Sequence, residues 1–185
     1  MVDLKGQYLK IQKEIDFALL RVIKKAKFIN GPEVNVFSQN LSAYLDCAYV
    51  IPCANGTDAL QIALMSLNLD SGDEIIVPSF TYVATVEVIC LLKLKPVMVD
   101  VDPLSFNLSI TEVGKAVTSK TRAIVPVHLF GQCADMEPIL EIALKHKLFI
   151  IEDTAQAIGA TYTFKNGEKK KAGTVGNIGC TSFFP

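Results

Sequence analysis

Little in this sequence offers charge to a polyanion or apolar length to a bilayer. Only 20% of its 185 residues are charged, and they sum to −1. Without a basic face, nucleic acid is not an expected partner. No apolar run approaches the roughly 18 to 20 residues that cross a bilayer, so no membrane span is expected. The opening MVDLKGQYLKIQKEID has no apolar signal core, which argues against secretion. None of the five cysteines (Cys47, Cys53, Cys90, Cys133, Cys180) forms a C-x-x-C pair. That disfavours structural zinc and a disulfide framework, and favours reduced thiols in the cytoplasm. Both glycine fingerprints for nucleotides, G-x-G-x-x-G and G-x-x-x-x-G-K-[ST], are missing. No Ser-His-Asp spacing or metal-ligand cluster stands out, and no metal is expected. Of the two histidines, His146 lies on a basic helix end and reads as solvated, while His128 lies inside a strand and reads as structural.

What is present is apolar and alternates in texture. Half the residues are hydrophobic, the composition of a buried α/β domain. Helical spacing of Leu9, Ile11, Ile15, Leu19, Val22, Ile23 and Ala26 predicts a helix over 8–27, broken by Asn30-Gly31-Pro32. A second helix is expected over Glu33–Leu45. Short, continuous apolar runs then predict strands at Ala48–Cys53, Glu74–Pro78, Pro96–Val101, Ala123–Leu129, Leu148–Glu152 and Cys180–Phe184. Helices are expected between them at Asp58–Leu67, Val83–Leu92, Thr111–Ala116 and Met136–His146. Strand and helix in alternation argue for a mainly parallel mixed sheet in a three-layer α/β/α sandwich. The run Lys165–Lys171 reads as a solvated hairpin turn. A helical segment, 1–46, thus precedes an α/β part, 47–185.

Ligands of open α/β sheets bind beyond the carboxyl ends of the strands. After the first expected strand comes Asn55-Gly56-Thr57-Asp58, a small-residue turn feeding a helix. It reads either as an ordinary N-cap turn or as a phosphate cradle of free N–H groups at a helix N-terminus. Asp58 counts against a phosphate unless its side chain points away. After the second strand, Phe80 reads as core, whereas Tyr82 could stack on a flat heterocycle. After the fifth, Glu152 and Asp153 should face opposite sides of the sheet. Asp153 reads either as a helix cap or as a partner for a protonated ring nitrogen, with Gln156 beside it.

These residues, in this order, resemble the DegT-type nucleotide-sugar aminotransferases, within the fold type I pyridoxal-phosphate enzymes. The motifs are Gly31-Pro32-Glu33-Val34; Ala54-Asn55-Gly56-Thr57-Asp58-Ala59-Leu60; Gly72 to Tyr82; Val99-Asp100-Val101-Asp102; Pro126 to Gln132; Glu152 to Gln156; and Ser182-Phe183-Phe184-Pro185. The resemblance implies that Gly56, Thr57 and Asp58 hold the phosphate of pyridoxal or pyridoxamine phosphate, mainly through backbone N–H groups, with the Ser182 hydroxyl. It implies that Tyr82 stacks on the pyridine ring, Asp153 pairs with its nitrogen and Gln156 contacts its phenolic oxygen. It further implies a homodimer whose large domain is incomplete here and whose small domain is absent. The expected activity is transfer of an amino group, from glutamate, to a nucleotide-linked keto-sugar for amino-sugar or polysaccharide biosynthesis. The sequences around Cys53–Leu60 and Gly131–Asp135 resemble the branch that aminates 3-keto sugars.

The family places its catalytic lysine two residues after the proline of Ser-Phe-Phe-Pro, and this sequence ends at that proline, Pro185. The 185-residue chain alone is therefore expected to form no covalent, borohydride-reducible cofactor adduct and to be inactive. Three rival readings stand beside the aminotransferase. A pyridoxamine-phosphate-dependent dehydratase of the same family would carry histidine in place of the lysine. A regulatory or non-catalytic relative would carry no activity. A nucleotide-binding oxidoreductase would need the glycine fingerprint that is missing.

Overall fold

The computed structural model describes residues 3–183, and they divide into two compact units. One runs to Tyr44 and includes Ala48–Pro52; the other comprises Leu45–Cys47 and everything from Cys53 onward.

The first unit is built on two helices, α1 (Leu4–Lys25) and α2 (Pro32–Leu45). The Asp3 carboxylate accepts the Gly6 N–H at 2.8 Å, so α1 starts earlier than its apolar spacing predicts. It ends at Ala26 in a left-handed conformation, with Lys24 and Lys25 set against the negative end of the helix dipole. Pro32 opens α2, where its missing N–H costs nothing.

The second unit is an α/β sandwich. Its strands are β1 (Glu74–Pro78), β2 (Lys95–Val99), β3 (Thr121–Ile124), β4 (Phe149–Asp153), β5 (Thr161–Thr163), β6 (Lys169–Lys171) and β7 (Ile178–Cys180). Its helices are α3 (Gly56–Ser66), α4 (Ala84–Leu91), α5 (Ile110–Ala116) and α6 (Met136–His146). The main sheet has the order β2-β1-β3-β4-β7, with every pair parallel. The separate β5–β6 pair is antiparallel, the hairpin expected around Lys165–Lys171.

Alternation along β1 divides the core between two faces. Ile75 and Val77 join Leu60, Leu64, Val88 and Ile89, from α3 and α4. Ile76, between them, joins Val113, Met136, Ile139 and Ala143, from α5 and α6. All five residues of β1 are buried, as its unbroken apolar run predicts for a strand covered on both sides. Each of its fully buried aliphatic side chains contributes about 1.5–3 kcal/mol by leaving water.

One expected strand does not form. Ala48–Cys53 belongs to neither sheet. An apolar run becomes a strand only where a neighbour completes its ladder, and among the described residues β2 and β7 end the main sheet. The last strand lies earlier than foreseen: β7 shares only Cys180 with the expected run Cys180–Phe184, and Phe184 and Pro185 of its motif lie outside the described residues.

Candidate functional site

From β1 the chain passes to β2 on one side and then to β3 on the other, so a topological switch lies between β1 and β3. Carboxyl ends of strands at such a point leave a crevice open to ligand. The turns after β1, β3, β4 and β7, together with the N-terminus of α3, carry the candidate residues.

The turn into α3 is capped by Asn55, whose side-chain oxygen accepts the Asp58 N–H at 2.9 Å. Its amide nitrogen donates in return to the Asp58 carboxylate at 3.1 Å. That bond draws the Asp58 charge to the cap. The Asn55 carbonyl takes the Ala59 N–H. The N–H groups of Gly56 and Thr57 have no acceptor among the described residues. Gly56 lies directly against the end of β7: a Cβ there would stand 2.9 Å from the Ser182 Cβ and 3.4 Å from its hydroxyl oxygen. The fold thus brings Gly56, Thr57 and Ser182 together as a cradle of two N–H donors and a hydroxyl, the chemistry a phosphate needs.

Glu152 and Asp153 face opposite sides of β4, as alternation requires. Asp153 is 7% exposed. One carboxylate oxygen accepts the Thr85 hydroxyl at 3.0 Å, and the other the Ala155 N–H at 3.1 Å. Burial pushes the Asp153 carboxyl above its ordinary range, and those two donors pull it back. Thr85 belongs to the first turn of α4, and its N–H bonds to the Tyr82 carbonyl. The same turn that presents the exposed Tyr82 ring is therefore tied to Asp153.

Gln156 is exposed, and its side-chain oxygen accepts the Phe130 N–H at 2.9 Å. A backbone N–H demands the oxygen, so the amide NH2 is left as the donor Gln156 presents. Phe130 holds that position with φ +55°, a left-handed conformation that costs a bulky residue about 1–2 kcal/mol. Its ring packs edge-on to Phe106, which packs on Phe80, in an aromatic row with every member partly or largely exposed. Phe80 is therefore rim rather than core: 49% of it is accessible.

Behind the rim, His128 and Glu152 are fully buried and paired at 2.8 Å. The other ring nitrogen of His128 accepts the Ala134 N–H, which fixes the neutral tautomer that donates to Glu152. Glu152 also accepts the N–H groups of Gly173, Val175 and Gly176. One carboxylate thus joins the turn after β3 to the turn that enters β7. His128 is structural, as expected, but it lies in the turn after β3 rather than inside a strand, because β3 ends at Ile124. Thr85, the Phe130 N–H and Asn55 are the supporting groups that sequence reasoning did not single out. Only Asn55 left a local signal, a capping residue before a helix.

The chain matches the model of the DegT/DnrJ/EryC1/StrS aminotransferase family over residues 9–185. It is 46% identical, over 184 residues, to the UDP-2-acetamido-2-deoxy-3-oxo-D-glucuronate aminotransferase of Pseudomonas aeruginosa, covering 100% of this chain and 50% of that protein. It is 45% identical to the pleiotropic regulatory protein of Geobacillus stearothermophilus, covering 100% of this chain and 48% of the relative. Among solved structures, a DegT DnrJ EryC1 StrS aminotransferase from Brucella abortus superposes with a TM-score of 0.93 at 40% identity, over 100% of this chain and 50% of that one. A structure of NtdA from Bacillus subtilis with bound cofactor PMP superposes with a TM-score of 0.79 at 38% identity, over 81% of this chain and 34% of that one. The chain spans about half the length of the curated relatives it matches.

Proposed function

This chain belongs to the DegT/DnrJ/EryC1/StrS aminotransferase family, and on that premise we propose that the whole protein moves an amino group onto a nucleotide-linked keto-sugar through pyridoxal phosphate. The observation that carries the reading is the meeting of the Gly56–Ser182 cradle with a buried, doubly hydrogen-bonded Asp153 on one rim of the sheet.

The residues present fit the cofactor group by group. Gly56 and Thr57 offer N–H donors to its phosphate, and Ser182 a hydroxyl. Asp58 shapes the clamp through the Asn55 cap, which occupies its own N–H. Asp153 holds the protonated ring nitrogen by a charge-assisted hydrogen bond. Gln156 donates its amide N–H to the phenolic oxygen, with its carbonyl already pinned by Phe130. Tyr82 supplies a flat, exposed ring to stack on the heterocycle. When bound, pyridoxal phosphate supplies an electron-withdrawing ring and carries the amino group between donor and acceptor.

Glutamate is the proposed donor and a UDP-linked 3-keto sugar the proposed acceptor class, the latter supported by the name of the Pseudomonas relative. The protein acts as a homodimer in a reducing, cytoplasmic setting. Exposed apolar side chains along α1, Leu9, Leu19, Leu20 and Ile23 among them, support an interface of that kind. No helix among the described residues is long and apolar enough to cross a membrane.

The test is full-length protein loaded with pyridoxal phosphate and given glutamate and a UDP-3-keto sugar. Mass spectrometry is expected to find the amino-sugar nucleotide and 2-oxoglutarate. Cofactor binding with loss of a sugar hydroxyl and no amination would replace this reading with the dehydratase. A regulatory role is the second reading, favoured by the name of the Geobacillus relative. Cofactor binding without turnover of any nucleotide sugar would support it.

A further inference from the structure

We propose that Thr85 is a positioning residue for the cofactor: its hydroxyl fixes the Asp153 carboxylate in the orientation and ionisation state that receive the ring nitrogen. The inference rests on the proposed cofactor reading and adds to it a residue outside the ring-contacting set.

The case begins with burial. Asp153 is 7% exposed and Thr85 2%, and they meet from different elements, 68 residues apart in sequence, at 3.0 Å. A carboxylate so placed loses most of its hydration and must replace it with protein donors. Two donors are in place, one on each oxygen: the Ala155 N–H and the Thr85 hydroxyl. The backbone donor is two residues along from Asp153 and travels with it. Thr85 is different, because it is anchored in α4 and sets the carboxylate relative to the turn that carries Tyr82. The one hydroxyl therefore registers the pyridinium partner to the stacking ring.

A threonine hydroxyl can donate to a carboxylate or accept from a carboxylic acid, but a donated bond to the charged form is the stronger. Losing it favours the acid, which cannot hold a protonated ring nitrogen. The other titratable groups in electrostatic contact with Asp153 are His128, in the turn after β3, and Cys180 of β7. From α4, Thr85 brings an uncharged donor. His128 is committed to Glu152 and Ala134. Cys180 remains a neutral thiol, its pKa pushed up to about 12 by burial first and by the nearby Asp153 charge. Thr85 is thus the adjustable donor on this carboxylate.

The probe is pyridoxamine 5′-phosphate, titrated by fluorescence into the full-length protein across the acid range, with melting temperature as a control for folding. Thr85→Val is isosteric and removes only the hydroxyl; Thr85→Ala removes it with a smaller side chain, should Val disturb α4. In either variant, affinity is expected to fall about tenfold at neutral pH, the scale of one hydrogen bond to a charged group. Its acid limb should move to higher pH, because affinity is lost as pH falls through the now higher Asp153 pKa. Thr85→Ser keeps the donor and should restore both affinity and profile. A folded hydroxyl-free variant whose acid limb coincides with that of wild type overturns the inference, and so does a Thr85→Ser protein that behaves like Thr85→Val. Wild-type protein that binds no pyridoxamine phosphate removes the cofactor reading itself, which separates the two failures.

Discussion

Asp153 shows why a residue can serve a site and burden the fold that holds it. Its carboxyl is pushed up by burial, so holding the charge costs the folded protein stability. With a raised folded-state pKa, its favourable contribution is present at low pH and is lost as pH rises through that pKa. Replacing the charge by an amide should relieve this at neutral pH. In Asp153→Asn the amide oxygen can still take the Ala155 N–H and its NH2 can donate to Thr85. The variant is therefore expected to melt at the wild-type temperature or higher, while binding pyridoxamine phosphate about ten- to hundredfold more weakly, the worth of a charge-assisted bond. Calorimetry against a fluorescence titration reads both. Gly56 makes a steric counterpart. A Cβ there meets the Ser182 Cβ at 2.9 Å, so Gly56→Ala must open the cradle. Cofactor affinity should fall, and adding Ser182→Gly should recover part of it by clearing the collision. If the double variant binds no better than Gly56→Ala alone, crowding at Ser182 is not what the glycine prevents. Tyr82, Asp153, Gln156 and Ser182 were legible in the sequence because each belongs to a motif at a strand end, and Gly56 and Thr57 because they open a helix behind a capping residue. Thr85 and Phe130 were not, because the bonds that give them meaning span 68 and 26 residues.

Elements obey the same division. The α6 helix begins and ends where its periodicity predicts, at Met136 and His146, and β1 fills Glu74–Pro78 as its apolar run predicts. Local pattern suffices there, because each element buries a face that its own spacing defines. Ala48–Cys53 fails as a strand for the opposite reason, since strand formation depends on a neighbour that no local pattern supplies. The β5–β6 hairpin is tied to the start of α6 by Tyr162, whose hydroxyl donates to Asp135 at 2.6 Å and accepts the Glu137 N–H at 3.2 Å, and by the Lys165 N–H, which donates to the Glu137 carboxylate at 3.0 Å. Burial first, and the bond to Asp135 next, push the Tyr162 pKa up to about 12 from an ordinary 10.0. A raised pKa means that Tyr162 stabilises the fold fully below pH 10.0 and loses that contribution as pH climbs toward about 12. Tyr162→Phe is expected to cost about 1 kcal/mol in urea unfolding at neutral pH. The difference from wild type should shrink on the alkaline side. A constant difference up to the highest pH would show that packing, not the hydroxyl, accounts for the loss.

For the molecule as a whole, Cys180 is a reporter placed by the fold. Cys53 and Cys90 are exposed, whereas Cys180 is buried in β7, its thiol pushed up to about 12. Thiolate is the reactive form, so a disulfide reagent should label Cys53 and Cys90 rapidly and Cys180 only on opening of the sheet. Labelling of Cys180 as fast as Cys53 in native buffer would mean that the β7 edge opens independently of the sheet. The sequence by itself determined the α/β class, the order of strands and helices around a parallel sheet, and the rim residues, because apolar periodicity and turn chemistry are local. Only the tertiary structure decided which rim groups meet. It set Gly56 against Ser182, turned the Gln156 amide outward by giving its oxygen to Phe130, and placed Thr85 on Asp153. Those contacts are made across strands and turns distant in the chain, where no local pattern signals them.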